Sequence, residues 1–356
     1  MPAPTRTPLA ALAAGLLSSA TALVLTAAPA SAEQVGADRG AAGALLSAAG
    51  TAAEQQRATD HWTPERMRAA VPADVARPAV RGVRAPAGAA PSVARLAPGR
   101  RTAAVAASDE LARGQRVAAP TAEPVGVRWS QGGAVATATG RIFFVRDGES
   151  YVCSGSSVAS ANRSTVVTAG HCLTEQRADR TPADSTEVVF VPGYADGEQP
   201  HGVWPVTVLA PAPQWRDGAQ GTTEAANHDV GFAVVAPRAD GKRLADVVGA
   251  LPIAFDTPPG QRVAVFGYPA APPFDGARLQ HCRGMRFANT VPGSTVEGVN
   301  CFMTGGSSGG PWLSRFDGRT GTVTSVVSFS YEGADQVMYG PRFDDSVRAL
   351  HASAGR

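Results

Sequence analysis

The chain has 356 residues, with 32 basic against 30 acidic side chains and a net charge of +2. Its arginines are scattered rather than blocked, which excludes the basic stripe that a nucleic-acid partner requires. Its four cysteines are an even number without a CxxC pair, a pattern that favours two disulfides in an exported protein over a zinc site.

Residues 1–32 carry one early charge, Arg6, then an apolar run from Leu9 to Ala28, and end in Ala30-Ser31-Ala32. This is the layout of a secretory signal peptide with cleavage expected after Ala32. An uncleaved anchor is the alternative, but Ser18, Ser19 and Thr21 interrupt the run. No later stretch approaches twenty apolar residues, so the processed chain is expected to be secreted and extracellular, with no membrane contact. Residues 33–124 are rich in Ala, Arg and Pro and poor in aromatics. The zone reads as a pro-segment, largely disordered, with short helices near Ala41–Gln56 and Thr63–Ala70; a spacer that stays attached is the alternative.

From about Val125 the texture changes. Short β-type runs recur between turn residues: "GRIFFV", "STVVTAG", "TEVVFVPGY", "VTVLA", "VGFAVVA", "RVAVFGY", "TVTSVVSFSY" and "QVMYGPRF". Helical periodicity returns only in the final "DSVRALHASAG". Residues 125–356 therefore predict an all-β barrel or sandwich domain.

Three turns in this domain carry candidate chemistry. In "STVVTAGHC" a β-branched strand ends at small residues and presents His171, the side chain best suited to take a proton near neutral pH. In "NHDVGFAVV", His228 and Asp229 are adjacent, so along a strand they face opposite ways and only one can enter a shared site. Asp229 is the candidate to orient a distant imidazole. In "MTGGSSGGPW", Ser307 and Ser308 sit in a glycine-rich turn that leads directly into a strand-like stretch.

The order His, Asp, Ser across "TAGHC", "HDVGFAV" and "GGSSGGP" resembles the chymotrypsin-fold, trypsin-like serine peptidases over roughly Val125 to Leu350. Within that family the chain looks closest to the secreted bacterial branch that includes the glutamyl endopeptidases. The resemblance implies two antiparallel β-barrels, an active site in the cleft between them and a short C-terminal helix. It assigns the nucleophile to Ser308, the base to His171 and its orienting acid to Asp229. The amides of Gly306 and Ser308 would form the oxyanion hole, and no metal or organic cofactor would be needed. The implied partners are protein or peptide substrates, and a monomer is expected. Cys153 is expected to pair with Cys172, bracing the His171 turn, and Cys282 with Cys301, bracing the loop into Ser308.

The chain also departs from the family pattern. Where animal trypsins carry an aspartate that pairs with a new N-terminal ammonium, it has the uncharged Ser307, so that switch is expected to be absent. Phe302 falls where a basic-selective aspartate would stand, and Val327 falls where glutamyl-specific relatives tend to carry histidine. Ser328 matches a serine that supports both triad and substrate. Phe302 and Ser328 are thus the candidate substrate-binding residues, and an apolar or small P1 residue is expected. A catalytically silent binding or adhesion module, and an esterase using the same triad, are the rival functions.

Overall fold

The computed structural model describes residues 45–73, 123–331 and 336–356. The signal peptide and the rest of the 33–124 zone lie outside the described residues. Six antiparallel strands form a closed ring: Thr139–Arg146, Glu149–Ser157, Thr165–Thr168, Gly231–Val235, Trp204–Pro211 and Thr186–Pro192, the last returning to the first. Alternation along each strand decides what fills it. Ile142, Phe144, Phe190, Trp204, Val206 and Leu209 share one buried cluster, whereas Phe143, Val189 and Val191 belong to a second cluster.

The C-terminal half is built from two sheets. Strands Thr322–Val326, Pro311–Ser314, Arg262–Gly267, Gln280–Met285 and Glu123–Arg128 form one, and Phe287–Ala288, Glu297–Asn300 and Val337–Gly340 form the other. Among the described residues their hydrogen bonds do not close into a single ring as in the first barrel, because no ladder joins the two sheets. The two sheets nevertheless enclose one core of Val263, Val265, Val299, Met303, Trp312, Val327 and Met338. The Cys282–Cys301 disulfide and a buried Arg286–Glu297 ion pair tie them together. The expected two-barrel, mainly β architecture is therefore present, with the second barrel hydrogen-bonded less completely than the first.

The C-terminal helix, Asp345–Ala354, starts where Asp344 accepts from the amides of Ser346 (2.9 Å) and Val347 (3.1 Å). It buries Val347, Leu350 and Ala354 in the cluster that also holds Phe232 of the first barrel. The last helix of the chain thus packs back onto the first barrel.

Residues 45–73, in the zone expected to be largely disordered, are folded. Strand Leu46–Ser47, helices Ala52–His61 and Pro64–Ala69, and strand Val71–Pro72 run along the first barrel. The second helix lies where expected. The first starts later than the expected Ala41–Gln56, because Thr51 caps it: its hydroxyl accepts from Glu54 N (3.2 Å), while the Glu54 carboxylate accepts from Thr51 N (2.9 Å).

Candidate active site

His171 sits in a single helical turn, Gly170–Leu173, that follows the fully buried strand Thr165–Thr168. Three attachments fix this turn. Cys172 is disulfide-bonded to Cys153. The His171 carbonyl accepts from the Arg146 guanidinium at 2.7 Å, and that same guanidinium also reaches Ser185 Oγ (2.8 Å) and Glu175 (3.0 Å). The Trp215 ring packs edge-on to the imidazole, its indole N–H donating to Thr174 O at 3.0 Å.

Asp229 stands between the short helix Thr223–Ala226 and strand Gly231–Val235. Its Oδ1 accepts from the His171 backbone N–H at 2.8 Å, and its Oδ2 lies 2.7 Å from His171 Nδ1. Both residues are about 1 % exposed, so this contact is made out of water. A carboxylate can only accept, so Nδ1 carries the proton and Nε2 is the basic nitrogen of the neutral ring. Ser328 Oγ donates to the same Oδ2 at 2.6 Å. His228, the neighbour in sequence, is turned elsewhere: its Nε2 lies 3.4 Å from Glu224, one helical turn back.

The glycine-rich turn crosses to the other half of the domain. Gly306 and Gly309 have φ of 92° and 82°, a left-handed backbone that costs an L-residue with a side chain on the order of 1 kcal/mol or more. Ser154, on the first barrel, grips the turn twice. Its N–H donates to Ser308 O at 2.7 Å, and its hydroxyl donates to Gly306 O at 2.8 Å while accepting from Tyr268 N at 2.9 Å. Ala270 N donates to Gly305 O at 2.7 Å. Because the peptide is planar and trans, pinning that carbonyl aims the Gly306 N–H the opposite way. A Cβ on Gly309 would lie 2.9 Å from Ala169 N, two residues before His171. Ser308 O also lies 3.9 Å from Cys172 Sγ. The Ser308 turn and the His171 turn are therefore in direct contact.

The two serines differ in their surroundings. Ser307 Oγ donates to Thr304 O at 2.8 Å, a local bond inside its own turn. Ser308 Oγ lies 3.5 Å from the carbonyl of Ser328, the residue whose hydroxyl binds Asp229. Of the candidate substrate residues, Ser328 is thus brought to the Asp229 carboxylate, whereas half-buried Phe302 packs on Phe274 with ring centroids 5.9 Å apart. The Phe302 carbonyl accepts from Gly126 N (2.9 Å), which puts the start of the predicted peptidase domain beside it. Val327 is fully buried in the second core, and the chain after it runs into an aromatic group in which Phe329 stacks on Tyr339 at 5.4 Å.

Several positioning residues were not legible beforehand. Ser154, Arg146 and Trp215 hold the two turns, and Asn227 bridges the halves by donating to Gly293 O (3.0 Å) and accepting from Thr295 N (2.8 Å). Tyr268, behind the Ser308 turn, is buried, and that burial pushes its phenol well above the ordinary range, with Arg141 opposing, so it stays neutral. Cys153, His171 and Cys172 cluster in the spacing of metal ligands, but the two sulfurs are bonded to each other and offer no thiolate.

Comparison with known proteins places this geometry in context. Residues 153–321 match the trypsin-like peptidase domain. The crystal structure of a thermostable serine protease, AL20, from an extremophilic microorganism is 38% identical, with a TM-score of 0.57, covering 62% of this chain and 98% of that one. The protease Anisep from Arthrobacter nicotinovorans is also 38% identical, with a TM-score of 0.56, covering 62% and 95%. A comparison with curated protein sequences returns no match.

Proposed function

The chain belongs to the trypsin-like serine peptidases, and from that premise we propose that His171, Asp229 and Ser308 act together as the triad of a secreted endopeptidase. The observation that carries this reading is the Asp229 carboxylate, bound at once by the His171 amide, the His171 ring and the Ser328 hydroxyl. In this reading His171 Nε2 takes the proton from Ser308 Oγ as that oxygen attacks the substrate carbonyl. It then returns the proton to the leaving amine, and a water repeats the sequence on the acyl-enzyme. Asp229 holds the tautomer and stabilises the imidazolium. The Gly306 and Ser308 amides receive the oxyanion, each donor contributing about 3 kcal/mol to the barrier reduction. The two disulfides fit an oxidising, extracellular destination, and the signal-like residues 1–32 would direct the chain there.

The aromatic surroundings of Phe302 and Phe329 support the expectation of an apolar or small P1 residue. The test of the nucleophile is labelling by a fluorophosphonate probe together with turnover of a mixed peptide library. Ser308→Ala should abolish labelling and lower turnover by several orders of magnitude, while Ser307→Ala should keep appreciable activity. Labelling that survives Ser308→Ala but is lost in Ser307→Ala would reverse the assignment. Labelling without peptide cleavage would favour an esterase, and no labelling of the parent protein a binding module.

A further inference from the structure

The outer wall of the first barrel carries Phe143, with Val152 and Val189 directly opposite it on the two neighbouring strands. All three are 0% exposed. Trp62 lies on Phe143 with ring centroids 5.3 Å apart and donates its indole N–H to Glu187 O at 2.5 Å. Met67, fully buried, accepts at its sulfur from Gln199 Nε2 (3.2 Å) and joins Ala58 and Ala70 in the same cluster as Phe143. Both ends of this segment are built into the barrel's hydrogen bonding. Leu46 and Ser47 pair with Leu209 and Val208, and Ala48 N donates to Thr207 O. Val71 and Pro72 add in parallel beside Tyr151 and Val152, and Ala73 N donates to Val152 O. These are stretches where strands Trp204–Pro211 and Glu149–Ser157 would otherwise present open edges.

The register of the second pairing connects it to the chemistry. It stops at Val152, and the next two residues are Cys153, bonded to the cysteine after His171, and Ser154, which holds the Ser308 and Gly306 carbonyls. We propose that residues 45–73 are a permanent arm of the peptidase rather than a discarded pro-segment. Hydrolysis of a peptide bond within 74–122 leaves the arm bound without a covalent tie, and its Val71–Pro72 strand keeps Tyr151–Ser154 in register for the site. The bracing part of this inference rests on the proposed triad; the retention of the arm does not.

The test introduces a cleavage sequence for a site-specific cysteine protease within 74–122. In the Ser308→Ala protein, the two pieces should co-elute in native gel filtration after the cut. Trp62→Ala with Met67→Ala should release the arm. In the active protein, stripping the cut arm in mild urea should lower kcat/KM at least tenfold and the melting midpoint by ~5 °C or more. A synthetic peptide of residues 45–73 should restore both, and the same peptide with Trp62→Ala and Met67→Ala should restore neither. Separate elution after the cut would overturn the inference. So would unchanged activity and melting after stripping, or inhibition of the stripped enzyme by the peptide, which would make the segment a removable mask. Elution and melting are read on Ser308→Ala protein as well, so they stand even if another residue is the nucleophile.

Discussion

Gly309 gives the sharpest test of how closely the Ser308 and His171 turns, and with them the proposed triad, depend on each other. An added Cβ there would lie 2.1 Å from Thr168 Oγ1, 2.2 Å from Ser154 O and 2.9 Å from Ala169 N. Two of those atoms are backbone, so no rotamer change relieves the contact. Opening them to ordinary separation requires a shift on the order of 1 Å between the Ser308 turn and the strand that leads to His171, and a misplacement of that size can cost about 100-fold in rate. Gly309 also has φ 82°, so a loss in Gly309→Ala alone would confound backbone strain with the clash. Gly318 separates the two, having φ 97° with nothing within 4 Å of the added carbon. Gly318→Ala should therefore show only the conformational cost, roughly 1–2 kcal/mol, as a small fall in melting midpoint with kcat/KM nearly unchanged. Gly309→Ala should add an overpacking cost of about 1–3 kcal/mol and lose about 100-fold or more in kcat/KM at a temperature where it remains folded. Equal kcat/KM for the two variants, measured well below both melting midpoints, would refute the claim that this contact sets the catalytic geometry.

Arg146→Met should destabilise the protein by about 3 kcal/mol in urea melts, since it strips hydrogen bonds from the His171 carbonyl and Ser185 and leaves Glu175 without that cation; Arg146→Lys should recover part of the loss. His351 is packed between Phe232 and Phe255, and burial holds its pKa below the ordinary 6.5, its bond to Ala159 O partly opposing. The folded state thus binds its proton less readily than the unfolded chain, so its contribution is complete above pH 6.5 and is lost as the pH falls below that value. His351→Gln should flatten the decline in unfolding free energy between about pH 7 and 5; because His61 and His201 shift in the same direction, the slope should shrink rather than vanish.

What was legible in the sequence follows from what bulk and branching reveal. Runs such as "GRIFFV", "TEVVFVPGY" and "RVAVFGY" fall on strands Thr139–Arg146, Thr186–Pro192 and Arg262–Gly267, because large apolar residues alternate there between barrel interior and outer wall. Strand Glu149–Ser157 was not picked out, although it joins two barrel strands and the arm. Its "CSGSS" stretch is small for a packing reason. A Cβ on Gly155 would lie 2.7 Å from Ile142 Cδ1 and 3.1 Å from Val167 O, so the centre of the strand has no room for the residues that usually announce one. The arm's helices are foreshadowed in the sequence, but its docking on the barrel is hidden for the opposite reason. In a zone averaged as Ala, Arg and Pro, two bulky anchors, Trp62 and Met67, are enough to seat it on the barrel wall.

The catalytic candidates were readable because His171, Asp229 and Ser308 each sit in a local pattern, but the groups that hold them in place leave no local trace. Ser154 meets Gly306 from 152 positions away and Tyr268 from 114, and nothing in "VCSGS" distinguishes its hydroxyl from those of its neighbours. Its position also bears on Ser307. The Ser308 turn is held by neutral hydrogen bonds from Ser154, Ala270 and the Ser307 hydroxyl, with partners in both halves of the domain. A turn tied down in this way has less need of a buried carboxylate and ammonium to shape it. The uncharged Ser307 and the double grip of Ser154 are then compatible parts of one arrangement, in which neutral hydrogen bonds from both halves of the domain shape the Ser308 turn.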